Sequence, residues 1–272
     1  MSKRKFFTNK VAIVTGSNGG IGRTTAFALA ELGASIVING RNKEKLDKTL
    51  SEMTSMGYEV IAVQADVASA EDAAILIQKA IDRFGKLDIL INNAGVIQRS
   101  QFMELKPEVF KKIIDVNILG SVYPSMYALP HLVKTKGHLI FISSFTGKHG
   151  LPTSSAYSAA KMALRGLAES LKFELSGTGV HTGIVYIGFT ENDPDKTVLA
   201  ADGSAVPVTK RPAYLDQSQE TVARSILNNI LKRKFSSTIF PVVGKISSFC
   251  LRYFPYLVHK IYVLFRKRME NV

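Results

Sequence analysis

Short apolar runs rich in valine and isoleucine alternate with longer stretches of helical spacing over the first two-thirds of the chain. Segments 11–15, 35–39, 60–63, 88–91, 138–143 and 181–187 are brief and apolar, as strands covered on both faces are. Between them, 24–32, 43–56, 70–84, 107–133 and 155–175 repeat apolar residues every three or four positions. Gly33, Gly57, Gly85, Gly137 and Gly177 fall near the ends of these segments, where a helix commonly needs a left-handed residue. Strict alternation of strand and helix predicts an α/β fold, a single doubly wound parallel sheet with helices on both faces. Beyond about residue 188 the pattern loosens. Residues 189–216 carry Asp, Pro, Gly and Thr without a period, 219–232 reads as another helix, and 237–240 as a last strand. With no linker or internal repeat, 1–240 is expected to be one domain that includes a substrate loop at 189–216. Residues 241–272 form a basic, aromatic C-terminal extension.

Composition narrows the class. With 272 residues, 46% of them apolar, the chain can bury one substantial core. A lone cysteine, Cys250, rules out an internal disulfide. The basic start is not followed by an apolar stretch ending in small residues, so the expectation is folding in the cytoplasm, with or without peripheral contact to a membrane surface. The net charge of +13 is concentrated: 221–269 holds ten lysines and arginines and no Asp or Glu. Such an end suits nucleic acid, anionic lipid or a solvated surface. The five histidines show no ligand spacing with one another or with Cys250, so no metal site is expected. Ser144 lacks the G-x-S-x-G context of a hydrolase nucleophile.

The first strand runs into Thr15-Gly16-Ser17-Asn18-Gly19-Gly20-Ile21-Gly22 and then a helix. Missing side chains there let backbone approach a pyrophosphate, whose charge the free N–H groups of a helix start favour. A tight strand-to-helix turn alone also wants glycine. The spacing of Gly16, Gly20 and Gly22, T-G-x-x-x-G-x-G, resembles that of the short-chain dehydrogenase/reductase family. So does Asp66-Val67 after the third strand, where the family contacts adenine. Asn92-Asn93-Ala94-Gly95 after the fourth matches the stretch that in the family lines the cofactor cleft. The second strand ends Asn39-Gly40-Arg41-Asn42, with an arginine in place of the acid that would hold a free ribose diol. By resemblance this implies NADP(H) over NAD(H), since a guanidinium pairs with a 2′-phosphate.

Tyr157 and Lys161 lie four apart and share one helical face. A phenol with a pKa of about 10 is a poor base at neutral pH, and a nearby ammonium favours its phenolate. The resemblance assigns Tyr157 as acid/base and Lys161 as its partner and ribose ligand. It also makes Ser144, thirteen residues before the tyrosine, the carbonyl-polarising serine, and Asn117 the fourth member, holding a water beside Lys161. After the sixth strand the family's Pro-Gly is here Ile187-Gly188, and Thr190 stands closer to the glycine than is usual for the threonine that meets the nicotinamide carboxamide. Ile187, Gly188 and Thr190 complete the expected cofactor set. The resemblance covers about residues 9 to 188 and implies interconversion of a carbonyl and an alcohol. It also implies pairing as a homodimer or homotetramer through the 107–133 and 155–175 helices.

The tail has no uncharged run near the roughly 20 residues a spanning helix needs. Aromatic and aliphatic groups mixed with cations over 241–268 suit an element lying in a membrane interface. The same surface would also suit packing on the domain or on a second subunit. No nucleic-acid module accompanies the charge. The apolar tail resembles 11β-hydroxysteroid dehydrogenase-like and 3-ketodihydrosphingosine reductase-like members of the family, which implies a hydrophobic, lipid- or steroid-like carbonyl substrate. A reductase of small or sugar-like carbonyls, or a silent NADP(H)-binding regulator, are the competing readings.

Overall fold

The computed structural model describes residues 2–209 and 211–269, with residues 213 and 265–269 described by backbone alone. Strands β1 (Val11–Val14), β2 (Ser35–Gly40), β3 (Val60–Gln64), β4 (Ile89–Asn92), β5 (His138–Ser144) and β6 (His181–Ile187) are joined at the far edge by a ninth strand, β9 (Ser236–Ile239). They form one seven-stranded parallel sheet in the order β3-β2-β1-β4-β5-β6-β9. The chain winds outward from β1 to β3, then returns to lay β4 on the other side of β1. The carboxyl ends of β1 and β4 therefore border the crevice where such sheets bind ligands. A small hairpin of β7 (Thr197–Leu199) and β8 (Ala205–Pro207) projects from the loop after β6.

Alternate strand residues feed two cores, as the pleat requires. Ala12 and Val14 pack with Leu29 of α2 (Gly20–Glu31), Met53 of α3 (Lys43–Ser55) and Ile226 of α8 (Gln219–Leu231) on one face. Val11 and Ile13 pack with Leu76 of α4 (Ala70–Phe84), Leu132 of α6 (Gly120–Thr135) and Leu164 of α7 (Ser155–Glu174) on the other. Helix starts are capped by side chains: Asn42, Ser69 and Ser218 accept from the N–H of Lys45, Asp72 and Thr221. Gly85 closes α4 in the left-handed region, φ +73°.

The structure departs from the pattern reading in four places. The helix expected over 107–133 is two, α5 (Pro107–Ile114) and α6, joined by a π turn at Asp115–Leu119 that carries Asn117. A five-residue helix, α1 (Lys3–Phe7), and the three-residue strands of the hairpin are too short for periodicity to reveal. The tail is helical, α9 (Val242–Tyr253) followed by α10 (Pro255–Met269). Arg266, Lys267 and Arg268, counted in its charge, have side chains outside the described residues. Among the described residues no helix is long and apolar enough to cross a membrane.

At the amino edge of the sheet, opposite the crevice, tertiary pairing joins two histidines that sequence spacing keeps apart. The Nδ1 atoms of His138 and His181 lie 3.0 Å apart, and His181 Nε2 is 3.0 Å from the Lys234 carbonyl. His181 must donate to that carbonyl, so its Nδ1 accepts from His138. Burial holds both rings neutral, taking His138 down to about 3 and His181 to about 4. Each binds a proton more readily when unfolded, so stability falls as pH drops below the ordinary histidine value of about 6.5, by about 1.4 kcal/mol per unit for each ring. The thermal midpoint should therefore fall between pH 7 and 5. A His138→Leu/His181→Leu double variant should show a shallower slope over that range, whatever its absolute stability.

Candidate active site

The turn after β1 is held from β4. Thr15 Oγ1 accepts from the N–H groups of Asn93 and Ala94 at 2.9 and 3.0 Å. The Asn93 amide donates back to the carbonyls of Thr15 and Gly16 at 2.9 and 3.2 Å. Gly16 sits at φ +61°, and a Cβ there would lie 2.9 Å from Ala94 Cα. A Cβ on Gly22 would run into the Gly16 carbonyl and the Asn93 amide. These glycines let α2 begin directly against the turn. Ser17 is buried, donating to the Val14 carbonyl at 2.6 Å and accepting from Asn39 N–H at 2.9 Å. Asn18 covers Gly40, and Ile21 packs on the core.

Asn39 was not singled out in the sequence, yet it knots three segments. Its Oδ1 accepts from Gly16 N–H at 3.3 Å, and its Nδ2 donates to the carbonyls of Val63 and Ala65, each at 3.1 Å. A buried asparagine at the end of an otherwise apolar strand was the available signal. At the outer end of the crevice, exposed Arg41 donates to Asp66 Oδ2 at 3.4 Å, and Asn42 caps α3. Asp66 Oδ1 accepts from Ala68 N–H at 3.0 Å. Val67 is buried against Gly120, where a Cβ would lie 2.9 Å from it.

At the inner end, β5 delivers two serines to different tasks. Ser143 is buried and donates to the Lys161 carbonyl at 3.0 Å. Ser144, next along the strand, lies beside the Tyr157 phenol and accepts from Thr146 N–H at 3.3 Å. One turn of α7 beyond Tyr157, the Lys161 ammonium lies 5.6 Å from the phenol ring centre and donates to the Ile142 carbonyl at 3.0 Å. Burial pushes the phenol up to about 12, with the nearby Ser144 hydroxyl pulling it the other way. Burial also brings the Lys161 amine down to about 8. Asn117 donates from Nδ2 to the carbonyls of Val96 and Ile113, both at 2.9 Å. Its Oδ1 is buried without a partner among the described residues. A Cβ on Gly95 would lie 2.7 Å from that oxygen and 3.4 Å from the Lys161 nitrogen, so this glycine keeps open the ground between them.

Ile187 pairs with Ser144 across β5 and β6, and Gly188 N–H donates to the Ile239 carbonyl at 2.8 Å. Thr190 is buried, with its hydroxyl donating to the Gly188 carbonyl at 3.1 Å and accepting from Gln217 at 3.4 Å. The loop after it reaches the glycine turn: the Asp193 carboxylate accepts from Gly20 N–H at 2.7 Å. Lys210, within the expected substrate loop, lies outside the described residues.

A parallel sheet with a glycine turn at its crevice and a serine, tyrosine and lysine at its inner end defines a dinucleotide-type α/β oxidoreductase architecture. The sequence profile described as short chain dehydrogenase matches residues 10–202, and the chain belongs to that family of oxidoreductases. It is 36% identical over 195 residues to a 3-oxoacyl-[acyl-carrier-protein] reductase of Synechocystis, covering 71% of this chain and 79% of that protein. It is 38% identical over 181 residues to an uncharacterised oxidoreductase of Listeria innocua, covering 65% and 73%. Among solved structures it resembles an alcohol dehydrogenase of Thermococcus sibiricus complexed with 5-hydroxy-NADP. The TM-score is 0.74 at 25% identity, with 86% of this chain and 97% of that one covered. The fold is also that of a short chain dehydrogenase/reductase of Burkholderia phymatum in complex with NAD (TM-score 0.80, 23% identity, 95% and 97% covered).

Removing the Asn39 amide leaves buried N–H and carbonyl groups of the turn and of 63–65 short of partners. Asn39→Ala should therefore lower unfolding free energy by about 2–3 kcal/mol, measurable by urea titration.

Proposed function

We propose that the protein is an NADP(H)-dependent reductase of a hydrophobic ketone or aldehyde, with Asn117, Ser144, Tyr157 and Lys161 as its catalytic set and 1–240 as its catalytic unit. The observation that carries this reading is the Lys161 ammonium 5.6 Å from the Tyr157 ring centre, one helical turn away, with Ser144 beside the phenol. The crevice fits a dinucleotide: glycines leave room along the turn, and the start of α2 already takes up an anion, the Asp193 carboxylate. Gly16, Ser17, Asn18, Gly20, Ile21 and Gly22 would hold the pyrophosphate. Asp66, Val67, Asn93, Ala94 and Gly95 would line the adenosine and ribose side, and Ile187, Gly188 and Thr190 the nicotinamide side. When bound, the nicotinamide supplies or accepts the hydride.

The chain's own residues handle the proton and the charge. A carbonyl oxygen seated between Ser144 and Tyr157 takes one hydrogen bond from each, so negative charge developing there meets two donors. Tyr157, protonated throughout the neutral range, gives its proton to that oxygen, and the Lys161 ammonium stabilises the phenolate left behind. The unpaired Asn117 Oδ1 beside Gly95 is placed to hold a water, which would link Lys161 to solvent and return the proton.

NADP(H) is supported by Arg41, which directly follows β2 at a position where an acid would favour a free ribose diol. Of the similar solved structures, the Thermococcus enzyme is complexed with 5-hydroxy-NADP and the Burkholderia one with NAD. A hydrophobic substrate is supported by the tail. Val242, Ile246, Phe249 and Tyr253 recur on one face of α9 and are all exposed. On α10, Tyr256 is 86% exposed and Leu264 78%. Lys245, Arg252 and Lys260 are interspersed among them, and no acid accompanies them. His149 Nε2 lies 2.9 Å from Ser248 Oγ, fastening α9 to the loop that follows Ser144. The exposed aromatic and basic face thus adjoins the catalytic end, as it would in an enzyme drawing its substrate from an anionic membrane surface. Exposed Met126, Tyr127, Met162 and Phe173 on α6 and α7 would then serve pairing with a second copy.

With a long-chain ketone and NADPH, Tyr157→Phe should cut kcat by about 10²–10⁴. Wild-type kcat should decline as pH rises through about 8, where the Lys161 cation is lost. Arg41→Ala should raise KM for NADPH by about tenfold while leaving that for NADH nearly unchanged. Unchanged turnover in Tyr157→Phe would refute the catalytic assignment. In flotation with phosphatidylserine-containing vesicles the full chain should rise with the lipid, and an Ile246→Glu/Phe249→Glu variant should stay behind. Equal behaviour of the two would remove the membrane reading.

A further inference from the structure

The start of α2 is already engaged by part of the protein itself. Gly20 N–H donates to Asp193 Oδ2 at 2.7 Å, and a Cβ on Gly19 would lie 2.9 Å from the same oxygen. The other carboxylate oxygen accepts from the Gln219 amide at 2.9 Å, whose own oxygen accepts from the Thr24 hydroxyl at 2.8 Å. Thr24 belongs to the first turns of α2 and Gln219 opens α8, so the chain of bonds runs from α2 through the loop to α8 and back. The neighbouring residues tighten it. Glu191 Oε1 accepts from Gln219 N–H at 2.9 Å, and Asp195 pairs with Lys45 on α3. Segment 191–195 is therefore a strap across the mouth of the glycine turn, fastened to three helices by three acidic side chains.

A carboxylate and a pyrophosphate are drawn to the same N–H groups for the same reason: the partial positive charge of a helix start. They cannot share Gly20, because two anions at hydrogen-bond distance from one donor repel each other in a half-buried crevice. Resting on the cofactor reading above, we propose that Asp193 is an internal competitor for the pyrophosphate seat, and that cofactor entry displaces it and lifts the 191–195 strap. The strap continues directly into the hairpin of β7 and β8. That hairpin joins the segment after β4, where Leu199 N–H donates to the Ile97 carbonyl at 2.8 Å and Arg99 N–H to the Leu199 carbonyl at 2.9 Å. Displacing Asp193 would thus loosen the loop over the substrate side of the crevice. Cofactor occupancy and substrate access would be coupled through one carboxylate.

The test is direct binding of NADPH, followed by fluorescence, to the full-length protein and to Asp193→Asn and Gln219→Ala variants. Asp193→Asn keeps the shape and removes the competing charge. Gln219→Ala frees the carboxylate from its second anchor without altering the turn. The proposal expects Kd to fall at least fivefold in Asp193→Asn and by a smaller factor in Gln219→Ala. Hydrogen exchange supplies the second readout. Adding NADPH, or inorganic pyrophosphate alone, should speed exchange in 191–195 while slowing it in 16–22, and Asp193→Asn should show the fast 191–195 exchange with no ligand present. Equal or weaker NADPH binding by Asp193→Asn, with wild type binding normally, overturns the competitor role and leaves the cofactor reading standing. Failure of wild type and both variants to bind NADPH or NADH overturns both.

Discussion

An ammonium is held in this protein against the carbonyl edge of a central strand, with no carboxylate among the described residues paired to it. Lys161 is 4% exposed and donates to the Ile142 carbonyl, and what lies near it is a phenol ring and, across Gly95, the unpartnered amide oxygen of Asn117. A carboxylate there would stabilise the cation and cancel its field. Burial alone brings the amine down to about 8, and the phenol ring lies 5.6 Å from it. The surrounding structure serves to keep this arrangement in place. Ser143 grips the Lys161 carbonyl, the π turn sets Asn117 across from it, and Gly95 leaves the intervening ground free of side chain.

The sheet makes such a site possible at an acceptable cost. Because β1, β4, β5 and β6 are parallel, they all end at one edge, and the residues just beyond them meet without long loops. The glycine turn, the Asn93–Ala94–Gly95 stretch, Ser144 and Ile187–Gly188 are four consecutive strand ends in space, although 172 residues of chain separate the first from the last. Much of the polar bonding at this edge holds backbone to backbone through side chains. Thr15, Asn39 and Asn93 do this work, so a dinucleotide would meet a surface already rigid.

The same edge carries the contact with no counterpart in the pattern of motifs. Asp193 reaches the start of α2 from a loop with no regular period, and the loop beyond it is built into the β7–β8 hairpin. On the other side of the catalytic end, His149 meets Ser248 and brings α9 alongside. The site is thus bordered by two late segments, one acidic and one basic. Their charges are opposite in sign.

Sequence by itself determined the alternation of strand and helix, the parallel sheet, the glycine turn and the spacing that puts Tyr157 and Lys161 on one helical face. Each of these follows from local period or from the conformational freedom of glycine, which neighbouring residues alone express. The choice of Ser144 over Ser143 came from the family resemblance rather than from local pattern, and the structure turns Ser143 to the Lys161 carbonyl. Only the tertiary structure decided what depends on residues far apart in the chain. The π turn under Asn117, the knot made by Asn39, the neutral pair of His138 and His181, and the seat of Asp193 on Gly20 all join segments that periodicity treats separately. Polar side chains at the ends of elements have several partners within reach, and which one they take is fixed by how the layers pack rather than by the residues beside them.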